Sequence, residues 1–427
     1  MPLQIRYVEW LVIILATLFA FMGLREVYLG DSLSSRLATV WSLTQVGTWY
    51  IDQPDNPFTA LTVDKCELDD RLLSTKPPII PLLITAQYVV LDAMAGVNLE
   101  DKASLKWFLQ LITLTLTVLP FSLLLICFRS IMCRLSISDL TRLLTLILLA
   151  FATQLPGFAA QFNNHIPATA MLVVALLCVM VISVPKSTAT TTCMRLYFVV
   201  FGISGGLVFT MDLPLTIFVV FLGLYLLWHY PVQTLLWGGL GMLLPLGVHF
   251  AVMVWVTGSP LPVQVRSELY LYEASYWRNP MGIDALNEPK GTYLFHMTFG
   301  RHGVFSLFPV LLVGVVAAVL AVFRKELPGR QYILASSGAI VILFAYYVLR
   351  TNNYGGAAYG FRWAIGIMPL LLLMGLPVTQ YLLNKKLGRI VLVLLFLVSL
   401  FSAWECYNAP WGENLEWTCR LFFGSSF

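Results

Sequence analysis

Long apolar runs recur from one end of the chain to the other, at 9–24, 104–128, 143–159, 168–184, 196–212, 214–229, 233–256, 303–323, 331–349, 363–383 and 390–405. A helix needs about 20 apolar residues to cross a bilayer, and only closed backbone hydrogen bonding survives there. Eleven such runs predict an all-α polytopic membrane protein. The composition agrees: 59% of the 427 residues are hydrophobic and 11% are charged, against about 25% charged in an ordinary soluble domain. A further apolar stretch, 77–95, opens on prolines and closes on polar residues. It reads as a re-entrant or interfacial helix, or else as a twelfth span. The first run leads straight into Arg25 and Glu26 without a small-residue cleavage site, so it is expected to stay as an uncleaved span.

Lys and Arg in short loops set orientation. Arg129, Arg134 and Arg142 share one loop, Lys186 and Arg195 a second, Arg324, Lys325 and Arg330 a third, and Lys385, Lys386 and Arg389 a fourth. An eleven-span path that begins inside puts all four in the cytoplasm. Apart from Asp139, Glu326 and Glu9, almost all acidic residues then fall outside. They lie in two long segments, 25–103 and 257–302, and in the tail 406–427. Long polar loops between spans are uncommon unless they function, so the chemistry is expected on that outer face. The net charge of +4 forms no basic patch that would suit nucleic acid. The five His and seven Cys show no spacing typical of a metal site, so no metal or other cofactor is indicated.

In the first outer segment, Leu33, Leu37, Val40 and Trp41 recur at helical spacing between Ser34, Arg36 and Thr39, which predicts an amphipathic helix in the interface plane. Asp31 stands at its start, either as an N-cap or as a carboxylate able to take a proton from a hydroxyl. Asp64, Lys65, Glu67, Asp69, Asp70, Arg71 and Lys76 follow within thirteen residues, and Glu67, Asp69 and Asp70 read as solvated loop. Lys76 precedes Pro77 and Pro78. It suits the phosphate of a membrane-bound lipid, or it snorkels from a helix end. Arg350 and Arg362 flank a glycine-rich turn with Tyr354, where they either face an anion or snorkel. Asn163, Asn164 and His165 sit at a helix mouth, to orient sugar hydroxyls or to act as a polar cap; Asp212 reads as the N-cap of the next helix. His296, Arg301 and His302 are expected in the second outer segment, and a Cys406–Cys419 disulfide is a hypothesis for the tail.

An early Asp, a helix with an Arg, GTWYID and then STKPP resemble the first outer loop of the GT-C fold glycosyltransferases. They are similar to the protein O-mannosyltransferases and, more closely, to the bacterial transferases that move aminoarabinose from undecaprenyl phosphate to lipid A. NNYGGAAYGFRWAIGIMP (352–369) resembles a late motif of uncharacterised bacterial members, and the stretch 275–309 resembles one of their outer loops. The DE-x-R-Y run of the aminoarabinose transferases and the WWDYG-like motif of oligosaccharyltransferases are absent. The resemblance implies a polyprenyl-phosphate-sugar donor, a lipid, glycan or protein acceptor, and an inner-membrane enzyme facing the periplasm. By the same resemblance Asp31 is the base, with Asp64 a second carboxylate. Lys76 and Arg362, with Arg36 and Arg350, hold the donor phosphate, and Asn164, His165, Tyr354 and His302 are substrate contacts. A transporter or flippase of lipid-linked glycans is the alternative, although the spans carry few charges and no paired repeat.

Overall fold

In a computed structural model describing residues 3–183, 191–412 and 416–423, helix dominates, and the regular strands are two short ones in a single hairpin. Lys186 lies outside the described residues. Seven helices are long and apolar enough to cross a membrane: Gln4–Met22, Lys102–Met132, His165–Ser183, Cys193–Met211, Pro231–Thr257, Arg330–Arg350 and Lys386–Asn408. Arg362–Met374 and Leu376–Leu383 form an eighth if the 51° bend between them is one broken span.

The remaining expected spans differ in physical detail. The run 143–159 divides into Asp139–Phe151 and Leu155–Ala159, because Gln154 and Pro156 interrupt it. The run from 303 is broken at Phe308–Pro309, since proline lacks the amide that would continue the helix, leaving Pro309–Phe323 as the apolar portion. Leu213–His229 and Ile79–Ala95 are 17 residues each, shorter than a full crossing by composition and length.

Glu9 is fully buried and accepts from Arg129 Nε at 2.7 Å, while Arg142 bonds both Glu9 and Asp139. A buried carboxylate needs such partners. This ion network ties the start of the first helix to both sides of the short 133–138 connection. The functional groups described next follow the other end of that helix.

The segment 25–103 folds onto the helices. Asp31–Gln45 is a helix, but residues 33–42 are all buried, including Ser34, Ser35, Arg36, Thr39 and Ser42. The expected helix is present, and its polar residues are covered by protein. Its polar face has protein partners: Asn56 donates to Ala38 O and Ser42 Oγ, and Ser35 bonds Asp64 O and Ser74 Oγ. The cluster read as solvated loop is a β-hairpin, β1 (Lys65–Leu68) and β2 (Arg71–Ser74), with Lys65 opposite Ser74. Its two-residue turn is Asp69-Asp70, both with positive φ, which a type I′ turn requires and Asp tolerates.

Candidate active site

The hairpin register explains the central contact. With Lys65 paired to Ser74, the ladder continues one step as Thr75 N donates to Asp64 O at 3.2 Å. Asp64 and Lys76 thus emerge side by side, and Lys76 Nζ lies 2.6 Å from Asp64 Oδ2. Lys76 is largely withdrawn from solvent, and burial lowers its pKa, partly offset by Asp64.

Arg36 comes from the buried helix just below. Its Nη1 donates to Ser32 O at 2.8 Å and Ser32 Oγ at 2.6 Å, and its Nη2 to Asn164 Oδ1 at 3.2 Å. Its Nε is buried without a partner. Burial pushes its pKa down to about 10; Asp64 opposes that shift, and Arg362 adds to it. Asn164 is fixed in turn by donating to Met211 O at 2.9 Å.

Arg362 arrives from the far end of the chain. Its guanidinium lies 5.0 Å from the Trp411 ring centroid, and its Nε is also buried without a partner. Gly355 has φ +100°, and a Cβ there would stand 3.2 Å from Arg362 Cβ, so the glycine turn wraps this side chain. Lys76, Arg36 and His165 all feel the Arg362 charge, and Asp64, Asp212 and Asp284 are its acidic neighbours.

Asp31 is at the first turn of its helix; the N-cap residue is Gly30, not Asp31. The exposed Asp31 carboxylate accepts from Val63 N at 2.8 Å, and Asp31 O accepts from Thr62 Oγ1 at 2.9 Å. Asp31 is thereby tied to the residue that precedes Asp64. Trp277 Nε1 donates to Val63 O at 3.0 Å, bringing the 257–302 segment over the same spot. That segment supplies Asp284, which accepts from Tyr276 Oη at 3.2 Å and Asn353 Nδ2 at 2.8 Å. Burial raises the Asp284 pKa, and the negative charges of Asp64 and Asp31 raise it further. Neither Asp284 nor Asp212 stood among the sequence candidates for chemistry. An isolated acid in a long polar loop carries no local signal of its partners.

Other expectations resolve differently. Asp212 makes no side-chain capping bond; its Oδ2 lies 2.6 Å from His165 Nδ1 in a buried pair. The helix it precedes begins with Leu213-Pro214, and proline needs no capping acceptor. Arg350 ends its helix exposed and makes no hydrogen bond or ion pair with the cluster. His302 and Tyr354 stand together in a second buried group, with ring centroids 4.5 Å apart, His302 bonded to Glu416 and Tyr354 to Glu288. Cys406 and Cys419 are not bridged. The Cys406 thiol faces Gln154 O at 4.0 Å, whereas Cys419 faces Glu416 and Arg301 O.

The sequence candidates Asp64, Lys76, Arg36, Arg362, Asn164 and His165 therefore share one neighbourhood, and Asp31 joins it through the 62–63 backbone that leads to Asp64. No protein-family model matches the chain, and no curated protein matches it. Solved structures do. ArnT from Cupriavidus metallidurans matches in the apo state and bound to undecaprenyl phosphate, with a TM-score of 0.52 in both cases, 13% and 14% identity, and 90% of this chain covered. The fold is of the GT-C type. The chain spans 62% of the length of the ArnT chains it matches. The Archaeoglobus fulgidus oligosaccharyltransferase tethered with an acceptor peptide matches at TM-score 0.48 and 14% identity, over 94% of this chain and 54% of that one. Within this GT-C fold, the cluster joins residues from the first long segment, the helix mouths at 164–165 and 212, and the turn before 362.

Proposed function

We propose that this chain is a glycosyltransferase that passes a sugar from a polyprenyl-phosphate carrier to an acceptor hydroxyl at the periplasmic face of the inner membrane. One observation carries the reading: among the described residues, Arg36 and Arg362 each bury an Nε with no hydrogen-bond partner, and neither is within ion-pair distance of a carboxylate. A buried guanidinium N–H left without a hydrogen-bond partner is costly, even with the carboxylates of Asp64, Asp212 and Asp284 nearby. An anion arriving with the substrate removes that cost, and the paired Lys76 stands beside both guanidinium groups.

In this reading the donor phosphate sits among Lys76, Arg36 and Arg362. Trp49, Pro78, Met253 and Val256 beside Lys76 offer an apolar wall for the first part of the lipid tail. Asp31, with one oxygen held by Val63 N, uses the other to take the acceptor proton. The acceptor oxygen bonds to the anomeric carbon, the bond from that carbon to the phosphate oxygen breaks, and the electron pair leaves with the phosphate. Three cations fixed in advance stabilise the charge that builds there. Asp64 keeps Lys76 in position, and Asn164 does the same for Arg36.

Labelled lipid-linked sugars in proteoliposomes test this. Asp31→Asn is expected to abolish transfer while still binding undecaprenyl phosphate; Arg362→Ala is expected to lose both. Full transfer by Asp31→Asn overturns the base assignment, and lipid movement across the vesicle without transfer favours a flippase.

A further inference from the structure

We propose that Glu416 is a positioning residue for Arg362, which makes the segment after the helix Lys386–Asn408 a working part of the donor-phosphate site. This rests on the glycosyltransferase reading above.

Arg362 is not held by its tip. Its Nε has no partner, and its guanidinium lies 5.0 Å from the Trp411 ring centroid. An aromatic face steadies the charge without fixing a hydrogen-bond geometry. Where Arg362 stands is therefore set by its backbone.

That backbone is pinned just ahead of it. Tyr359 N donates to Pro410 O at 3.0 Å, Gly360 N to Glu416 Oε1 at 2.7 Å, and Phe361 N to His302 O at 2.9 Å. Gln154 Nε2 donates to Tyr359 O at 2.7 Å. Three successive amides thus end on three different segments. Gly360 has φ +65°, and a Cβ there would stand 2.4 Å from Gln154 Nε2, so conformation and space both call for glycine.

Of the three acceptors, Glu416 Oε1 belongs to a side chain and the other two are carbonyls. Glu416 is fully buried. The same oxygen lies 2.7 Å from His302 Nδ1. A carboxylate oxygen only accepts, so Nδ1 carries the proton. Glu416 therefore holds the amide of Gly360 directly and, by fixing His302, the carbonyl that takes the amide of Phe361. Its own place is secured from both sides: Trp417 N donates to Glu405 Oε2 at 3.2 Å, and Thr418 Oγ1 to Arg301 O at 2.7 Å.

A buried carboxylate is costly unless hydrogen bonds offset it, and a charge-assisted bond to a backbone amide is roughly twice as strong as a neutral one. Glu416 is not among the acids whose charge reaches Arg362; those are Asp64, Asp212 and Asp284. It acts through the turn. A glutamine, with an oxygen in the same place, keeps the turn, and an alanine frees it.

Titration of the detergent-purified full chain with undecaprenyl phosphate, followed by native mass spectrometry, tests this. Glu416→Ala is expected to weaken binding roughly ten- to one-hundred-fold, and Glu416→Gln to bind like the parent. In an Arg362→Lys background the Glu416→Ala step should shrink, because both changes act on one group. Hydrogen exchange should speed over 359–362 in Glu416→Ala and stay unchanged over 31–45. The proposal is overturned if Glu416→Ala binds like the parent, if Glu416→Gln is as weak as Glu416→Ala, if the two changes simply add, or if exchange speeds as much over 31–45 as over 359–362. A parent that binds no lipid phosphate sinks the transferase reading instead, and the exchange result alone then decides whether Glu416 fixes the turn.

Discussion

Arg36→Met separates a cation kept for a ligand from one kept for the fold. Methionine fills much of the volume and removes the charge. On the stability side, Asn164 Oδ1 loses its donor, a cost of about 1–3 kcal/mol. Ser32 is half-exposed, and water replaces its two bonds. Against this, removing a buried guanidinium with no carboxylate partner returns several kcal/mol of desolvation. The terms oppose, and the expected stability is within about 2 kcal/mol of the parent. The binding side has no such cancellation. Truncating one member of a buried charge pair costs about 2–5 kcal/mol, which is roughly 30- to 4,000-fold in affinity. The assay is a thermal melt of the detergent-solubilised variant beside titration with undecaprenyl phosphate followed by native mass spectrometry. A variant that melts like the parent and binds the lipid phosphate equally well refutes the anion-site reasoning. So does one that is strongly destabilised while its folded fraction binds normally.

Other outcomes follow from the same geometry. Glu9→Gln leaves Arg129 and Arg142 without their shared buried carboxylate and is expected to cost about 3–5 kcal/mol, read as a lowered melting temperature with lipid-phosphate affinity unchanged. Replacing Asp69-Asp70 by Asn-Gly matches the positive φ of both turn residues and should stabilise by up to about 1 kcal/mol without altering transfer. The pH dependence has a definite sign: the Lys76 pKa is lowered by burial, its protonated form holds the anion, and affinity should fall as pH rises towards the ordinary lysine value. Lys76→Arg should extend binding to higher pH; an unchanged alkaline limb in that variant would remove Lys76 from the phosphate site.

Several parts of this molecule were legible before any coordinates. Long apolar runs permit little besides membrane helices, and the position of Lys76 before Pro77-Pro78 marks a charged group at a helix entrance. Arg129 and Arg142 were readable as near one another because a short connection joins them, although not as partners of Glu9. The helix at 31–45 was legible from its spacing, but the partners of its polar face were not. Periodicity separates polar from apolar faces, yet a polar face can meet hydrogen-bonding protein as readily as water, and here it meets Asn56, Ser74 and the Asp64 carbonyl.

The sequence by itself determined the solvent of this chain, the approximate extent of most helices, and the residue types available for anion chemistry, since these depend on local composition and spacing. Only the tertiary structure decided which of them meet. Asp64 reaches Lys76 through a two-residue hairpin turn, Arg36 reaches Asn164 across 128 positions, and His302 reaches Glu416 across 114. Such pairings are set by how helices and loops pack in three dimensions, and the cost of leaving a buried charge unmet then separates a completed contact from one that awaits a ligand.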